Sequence, residues 1–122
     1  GRIAGRVMVY RSCVATGSPI NASSLRHNAS SVNVVADAVT PNVPNCLIVM
    51  TGHTDGTSGI ASWACTDPAT LTQRFNNTGN TTRVAGADGY NIAGGATGNA
   101  TLTVNGAEKN TGGLTALTPM EK

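Results

Sequence analysis

Two short runs near residues 100 and 115 alternate in polarity, with a glycine-marked turn between them. Thr101, Thr103 and Asn105 are separated by Ala100, Leu102 and Val104, and after Gly112-Gly113 the residues Leu114, Ala116 and Thr118 alternate with Thr115 and Leu117 up to Pro119. A period of two puts one set on a buried face and the other in water, which is the requirement of a strand and not of a helix. Glycine and Asn-Gly pairs between such runs mark turns. The segment therefore predicts two closing strands joined as a hairpin, with Asn105-Gly106 as a second turn candidate.

The rest of the chain agrees with an all-β fold. Glu occurs only at Glu108 and Glu121 and Lys only at Lys109 and Lys122, so strong helix formers are scarce. Thr, Val, Asn and Gly favour pleated strands and tight turns. The 122 residues suffice for one domain, read as 1–122. Strands are expected over Ile3 to Cys13, Ser31 to Thr40, Cys46 to Thr51, Ile60 to Ala64, Leu71 to Phe75 and Thr82 to Ile92, followed by the closing pair. The polar stretch from Val14 to Ser31, broken by Gly17-Ser18-Pro19, reads as a long loop, and Asn76 to Thr82 as a hairpin-type loop. Cys46 to Thr51 is the most apolar run and is expected to be buried on both faces. Seven or eight short strands at turn spacing predict an antiparallel β-sandwich, jelly-roll-like.

Composition also removes function classes. The net charge is +2, and the arginines are dispersed and not interleaved with aromatics, which argues against nucleic acid. No apolar run approaches the roughly 18 residues of a membrane helix. Aromatics make up 3% of the chain, so the core is built from Val, Ile, Leu and Ala around one Trp and one Phe. Such side chains bury little area each, at about 25 cal/mol per Å², and contacts between copies would add stability. Cys13, Cys46 and Cys65 cannot all pair within one chain. Cys13 and Cys46 sit at ends of strand-like runs that neighbouring strands could bring together, but the expectation is three free, mostly buried thiols that pack as small apolar groups. No His/Cys spacing suggests zinc, and no cofactor is implied.

Several short motifs in order resemble a family of β-sandwich domains found in bacteriophage tail and other virion proteins and in some secreted bacterial proteins. VMVYRS (Val7 to Ser12) resembles the family's strand ending in Tyr-Arg-Gly, with Ser12 in place of the glycine. SPIN (Ser18 to Asn21) is similar to its Thr-Pro-Ile-Asp element. AVTPNVPNCLIVM (Ala38 to Met50) resembles its threonine-rich lead into a buried strand. TDPATLTQR (Thr66 to Arg74) resembles its Pro-Ala-Gly-Met-Thr-Glu-Arg stretch, with Thr70 for a glycine. The closing segments Gly86 to Val104 and Gly112 to Pro119 are the most similar. The two lost glycines imply altered local turns. Because such domains carry further strands upstream, the chain reads either as a shortened sandwich or as the C-terminal part of a larger one. The resemblance implies a structural or receptor-facing module and carries over no catalytic residue.

His53 and Asp55, in TGHTDGTSG, are the most site-like pair. On a strand, residues two apart share a face, so the pair suits a cation or a sugar hydroxyl, although metal sites normally take three or four ligands. The bland alternative is a solvated turn. Ser58, His53 and Asp67 lack the G-x-S-x-G elbow of a hydrolase. The sparse carboxylates do not pair by sequence, and the five Asn-x-Ser/Thr sequons, at Asn21, Asn28, Asn76, Asn80 and Asn99, fit an Asn- and Thr-rich composition. Trp63 would offer a stacking face for sugars unless the core claims it.

The reading is a non-enzymatic phage virion structural protein at the virion surface, either a capsid decoration or cement subunit or a tail-fibre or tip module. Its partners would be copies of itself and other capsid or tail proteins, with Arg2, Arg6, Met120, Glu121 and Lys122 as contacts. One alternative is a carbohydrate-binding or adhesive module of a secreted protein, using Trp63 and the loop from His53 to Gly59 on surface glycans. Another is an extracellular filament subunit built by edge pairing.

Overall fold

A computed structural model describes residues 5–13 and 17–120. Arg2, Glu121 and Lys122 lie outside the described residues. The described chain contains six strands: β1 (Ile20–Ala36), β2 (Cys46–Thr54), β3 (Ile60–Ala64), β4 (Thr72–Thr78), β5 (Arg83–Asn91) and β6 (Ala100–Leu117). All pairings are antiparallel, in the order β1-β6-β2-β5-β4, with β3 added to β6 off this path.

The architecture rests on β6, which is 18 residues long. Its C-terminal part, from Asn110 to Leu117, lies between β1 and β2, whereas its N-terminal part pairs Ala100 to Thr103 with β1 and Thr101 to Val104 with β3. The ladder with β1 shifts register around Ser31 and Glu108, where an irregularity lets a strand bend. Beyond the bend the ribbon folds back over itself. Asn28 Nδ2 donates to Val35 O at 3.1 Å and Asn110 Nδ2 donates to Asn33 O at 3.4 Å. A Cβ on Gly112 would sit 2.5 Å from Val35 O, so only a bare backbone permits this approach. The result is one sheet folded into a sandwich.

The core fills the space between the two layers. Ile48, Met50, Ala85, Ala87, Leu114 and Ala116 come from one layer, and Val34, Ala36, Leu102 and Val104 from the other, all buried in one cluster. These positions recur every second residue, as the pleat demands. The all-β, sandwich-like expectation is therefore met.

Three element assignments change. The expected closing hairpin is a single strand, because Asn105-Gly106 and Gly112-Gly113 are absorbed into β6. The expected loop before Ser31 is strand from Ile20 onward, because pairing with β6 outweighs its polar composition. Two long strands thus replace several short ones. The expected first strand is not formed in its described part. Residues 5–11 join no ladder, Val7 and Val9 are 88% and 79% exposed, and only Cys13 makes an isolated bridge, to Pro119. That segment instead lies across the outer face of the sheet, touching β4 through Asn77 and β5 through Asp88. Ser12, where a glycine was expected, takes a φ of 64°, so it adopts the left-handed conformation that glycine favours.

Gly112→Ala should destabilise the fold by about 1–3 kcal/mol through overpacking against Val35. Gly106→Ala, whose Cβ would make ordinary contacts with Ser58, should stay within about 0.5 kcal/mol. Urea denaturation of both variants checks the difference.

Candidate functional site

Neighbouring strands place His27, Thr111 and His53 in one row. Thr111 of β6 is directly opposite His27 of β1 on one side and His53 of β2 on the other. Opposed residues in an antiparallel ladder share a face, and here it is the outer one. With Asp55 and Lys109 these side chains line an open cleft of about 270 Å³. His53 belongs to β2 and not to the glycine loop that the sequence suggested. Asp55 begins that loop, and its N–H donates to Lys109 O at 2.9 Å. The structure thus brings His53 and Asp55 to one cleft and adds His27, Lys109 and Thr111, which have no sequence proximity to signal them.

The orientation of His53 is built from below. The buried Thr82 hydroxyl donates to Thr54 O at 3.1 Å. Its oxygen is left to accept from His53 Nε2–H at 2.9 Å. In the neutral ring, Nδ1 is then an unprotonated acceptor. His27 Nδ1 meets Thr111 Oγ1 at 2.8 Å, which leaves its Nε2 free. Among the described residues, no group of three or more His, Cys, Asp or Glu is placed to hold a metal ion.

Behind the cleft, the loop from Asp55 to Gly59 closes over a buried ion pair. Arg83 Nη1 stands 3.6 Å from Glu108 Oε1, with side chains 1% and 9% exposed. Ser58 Oγ donates to Glu108 at 2.8 Å, and the Arg83 guanidinium donates to Ser58 O. A Cβ on Gly56 would overlap the Glu108 carboxylate. Since Ser58 engages Glu108 and His53 engages Thr82, no hydrogen bond joins the serine to the histidine.

Trp63 is not brought to the cleft. It is half-buried against the core, opposite Leu102, and Nε1 donates to Gln73 Oε1 of β4 at 2.9 Å. The indole joins the β3 and β4 edges of the folded sheet. Arg6 lies elsewhere too, with its guanidinium 5.4 Å above the Phe75 ring, a cation–π contact. Beside it, Asp88 accepts from Tyr10 Oη at 3.1 Å and from Arg74 Nε at 2.8 Å. Burial pushes the Tyr10 phenol up, with the Asp88 charge and hydrogen bond adding to it, to about 12. The three cysteines are free, and burial raises the Cys46 and Cys65 thiols above the usual range.

No family model, no curated protein and no solved structure matches this chain.

Glu108→Ala leaves Arg83 charged and uncompensated in the interior, and should cost about 3–5 kcal/mol in a chemical-denaturation experiment. A second prediction concerns alkaline pH. The folded Tyr10 value, about 12, lies above the unfolded value of 10.0, so the phenol is the favoured form in the folded state. Its stabilising contribution is complete below the unfolded value and is lost as pH rises through the folded one. Ultraviolet titration should therefore show one tyrosine ionising near pH 12, and Asp88→Asn should move that step downward.

Proposed function

We propose that the chain is a non-enzymatic structural module of a bacteriophage virion, displayed on the capsid or tail surface and held there by contacts with neighbouring copies of itself. One observation carries the reading. At the end of the sandwich opposite the histidine row, Tyr90, Ile92 and Met120 are 59%, 63% and 52% exposed around a cavity of about 690 Å³. Segments 5–13 and 118–120 meet there through the Cys13 to Pro119 bridge and the Met120 N–H donated to Ser12 O at 2.8 Å. A contiguous apolar patch with a polar rim is the surface a partner covers.

Two further features support self-association at this end over strand addition at an edge. The core cluster is aliphatic and rich in alanine, so burial of Tyr90 and Ile92 in a neighbour adds area the monomer lacks. The β1 edge carries the Arg26–Asp37 ion pair at 3.0 Å, and charges on an edge strand discourage pairing. The motif resemblance in Val7 to Ser12, Gly86 to Val104 and Gly112 to Pro119 supports the virion setting.

Light scattering should find a trimer or larger assembly. Ile92→Asp should weaken association at least about 100-fold, roughly 3 kcal/mol, at the centre of a desolvated contact. Its melting temperature at high dilution should match the parent's. A strict monomer at all concentrations would sink the self-docking mechanism. Absence of the chain's peptides from purified particles by mass spectrometry would sink the virion assignment.

A further inference from the structure

We propose that the cleft between His27, His53 and Lys109 is a binding site for a neutral saccharide. The fold fixes several hydrogen-bonding roles there. The buried Thr82–Thr54 relay holds the His53 ring with Nε2–H spent inward, so Nδ1 faces a ligand as an acceptor. Metal-binding and substrate-binding imidazoles are commonly oriented in this way, by an inner partner that fixes the tautomer. Asp55, tied to Lys109 O through its backbone, adds a second acceptor at the same cleft. Lys109 supplies donors, and the free Nε2 of His27 stands at the far wall.

The mixture selects the ligand class. A phosphate or sulfate brings negative charge and mostly acceptor oxygens, which would meet the Asp55 carboxylate and the His53 lone pair. A metal cation only accepts electron pairs, and would meet the Lys109 ammonium, with no third protein ligand placed for it. A sugar hydroxyl donates and accepts at once, so it can donate to Nδ1 or the carboxylate while accepting a hydrogen bond from the Lys109 ammonium. One carboxylate and one ammonium leave the cleft without net charge when the imidazoles are neutral, which suits an uncharged polyol. The volume of about 270 Å³ accommodates one sugar ring. No Trp, Tyr or Phe is among the described residues that line the cleft, so each contact is weak, and many displayed copies would supply the avidity. The site is independent of the self-docking end.

The test is a ¹⁵N NMR titration of the full chain with three separate neutral probes: methyl α-mannoside, galactose and N-acetylglucosamine. Inorganic phosphate and zinc chloride form two further arms. At least one sugar should shift the amides of 53–55 and 109–111 with a Kd of about 1–10 mM. His53→Ala should weaken that binding about tenfold, as loss of one well-oriented hydrogen bond does. If His53→Ala does not give a folded spectrum, the exposed variants Asp55→Ala and Lys109→Ala carry the same expectation. The proposal is overturned if no sugar shifts these amides up to about 100 mM, if phosphate or zinc shifts them at lower concentration, or if the variants bind sugar as the parent does.

Discussion

The rest of the structure depends on the close approach of Gly112 to the Val35 backbone. A strand of 18 residues is far longer than the five or six typical of a sheet, and left straight it would expose both faces of its central part. Folding the β1–β6 ribbon over itself removes that exposure. The approach needs a position without Cβ on one strand, and Gly112 supplies it against the Val35 carbonyl, which accepts from Asn28 Nδ2. Once the ribbon is folded, Leu102 and Val34 meet Gly52 across the interior, and β3 becomes part of the second layer. Each later feature inherits its position from that fold-back.

The same geometry explains why a charge pair is buried in so small a domain. Where the ribbon bends, the ladder with β1 shifts register on either side of the Ser31–Glu108 pair, and the Glu108 side chain is carried inward instead of into solvent. A lone buried carboxylate would be costly. Arg83, at the start of β5, offsets it, and Ser58 completes the hydrogen bonding from the loop above. The loop thereby acquires a fixed shape without apolar side chains of its own. Gly56 is required because no side chain fits over the carboxylate. Asp55 is fixed as a consequence, since its amide is pinned to Lys109 O.

How much of this was legible in the sequence follows from the range of the interactions. The alternation at Ala100 to Val104 and at Leu114 to Leu117 correctly marks strands, because pleat periodicity is local. Their continuity through Gly112-Gly113 was not legible. Glycine signals a turn and a close backbone approach equally well, and only the position of Val35 decides between them. Residues 20–30 read as loop because INASSLRHNAS has little apolar content, and a single-sided partner strand makes it extended nonetheless. Conversely, Val7 and Val9 alternate as a strand should, but no neighbouring edge receives them. His53 and Asp55 were legible as a pair at spacing two. His27, Lys109 and Thr111 join them only through ladder register, which no local pattern encodes.

The two ends of β2 give the molecule a polarity that bears on how it works. Leu47 pairs with Tyr90 and Leu117 at one end, and His53 pairs with Thr111 at the other. Six residues at about 3.3 Å each separate them by about 20 Å. That span is rigid, because β2 is central and hydrogen bonded on both sides. A module anchored at its apolar end would therefore hold the histidine row away from the anchoring surface. Attachment and recognition then make no competing demands on the same side chains. In the proposed roles, the apolar patch would need a large, desolvated contact, whereas the cleft would need only access to water and a fixed Nδ1. Under the proposed self-association, weak single-site recognition would suffice, because an assembly of copies would present its clefts in a fixed orientation and bind as an array.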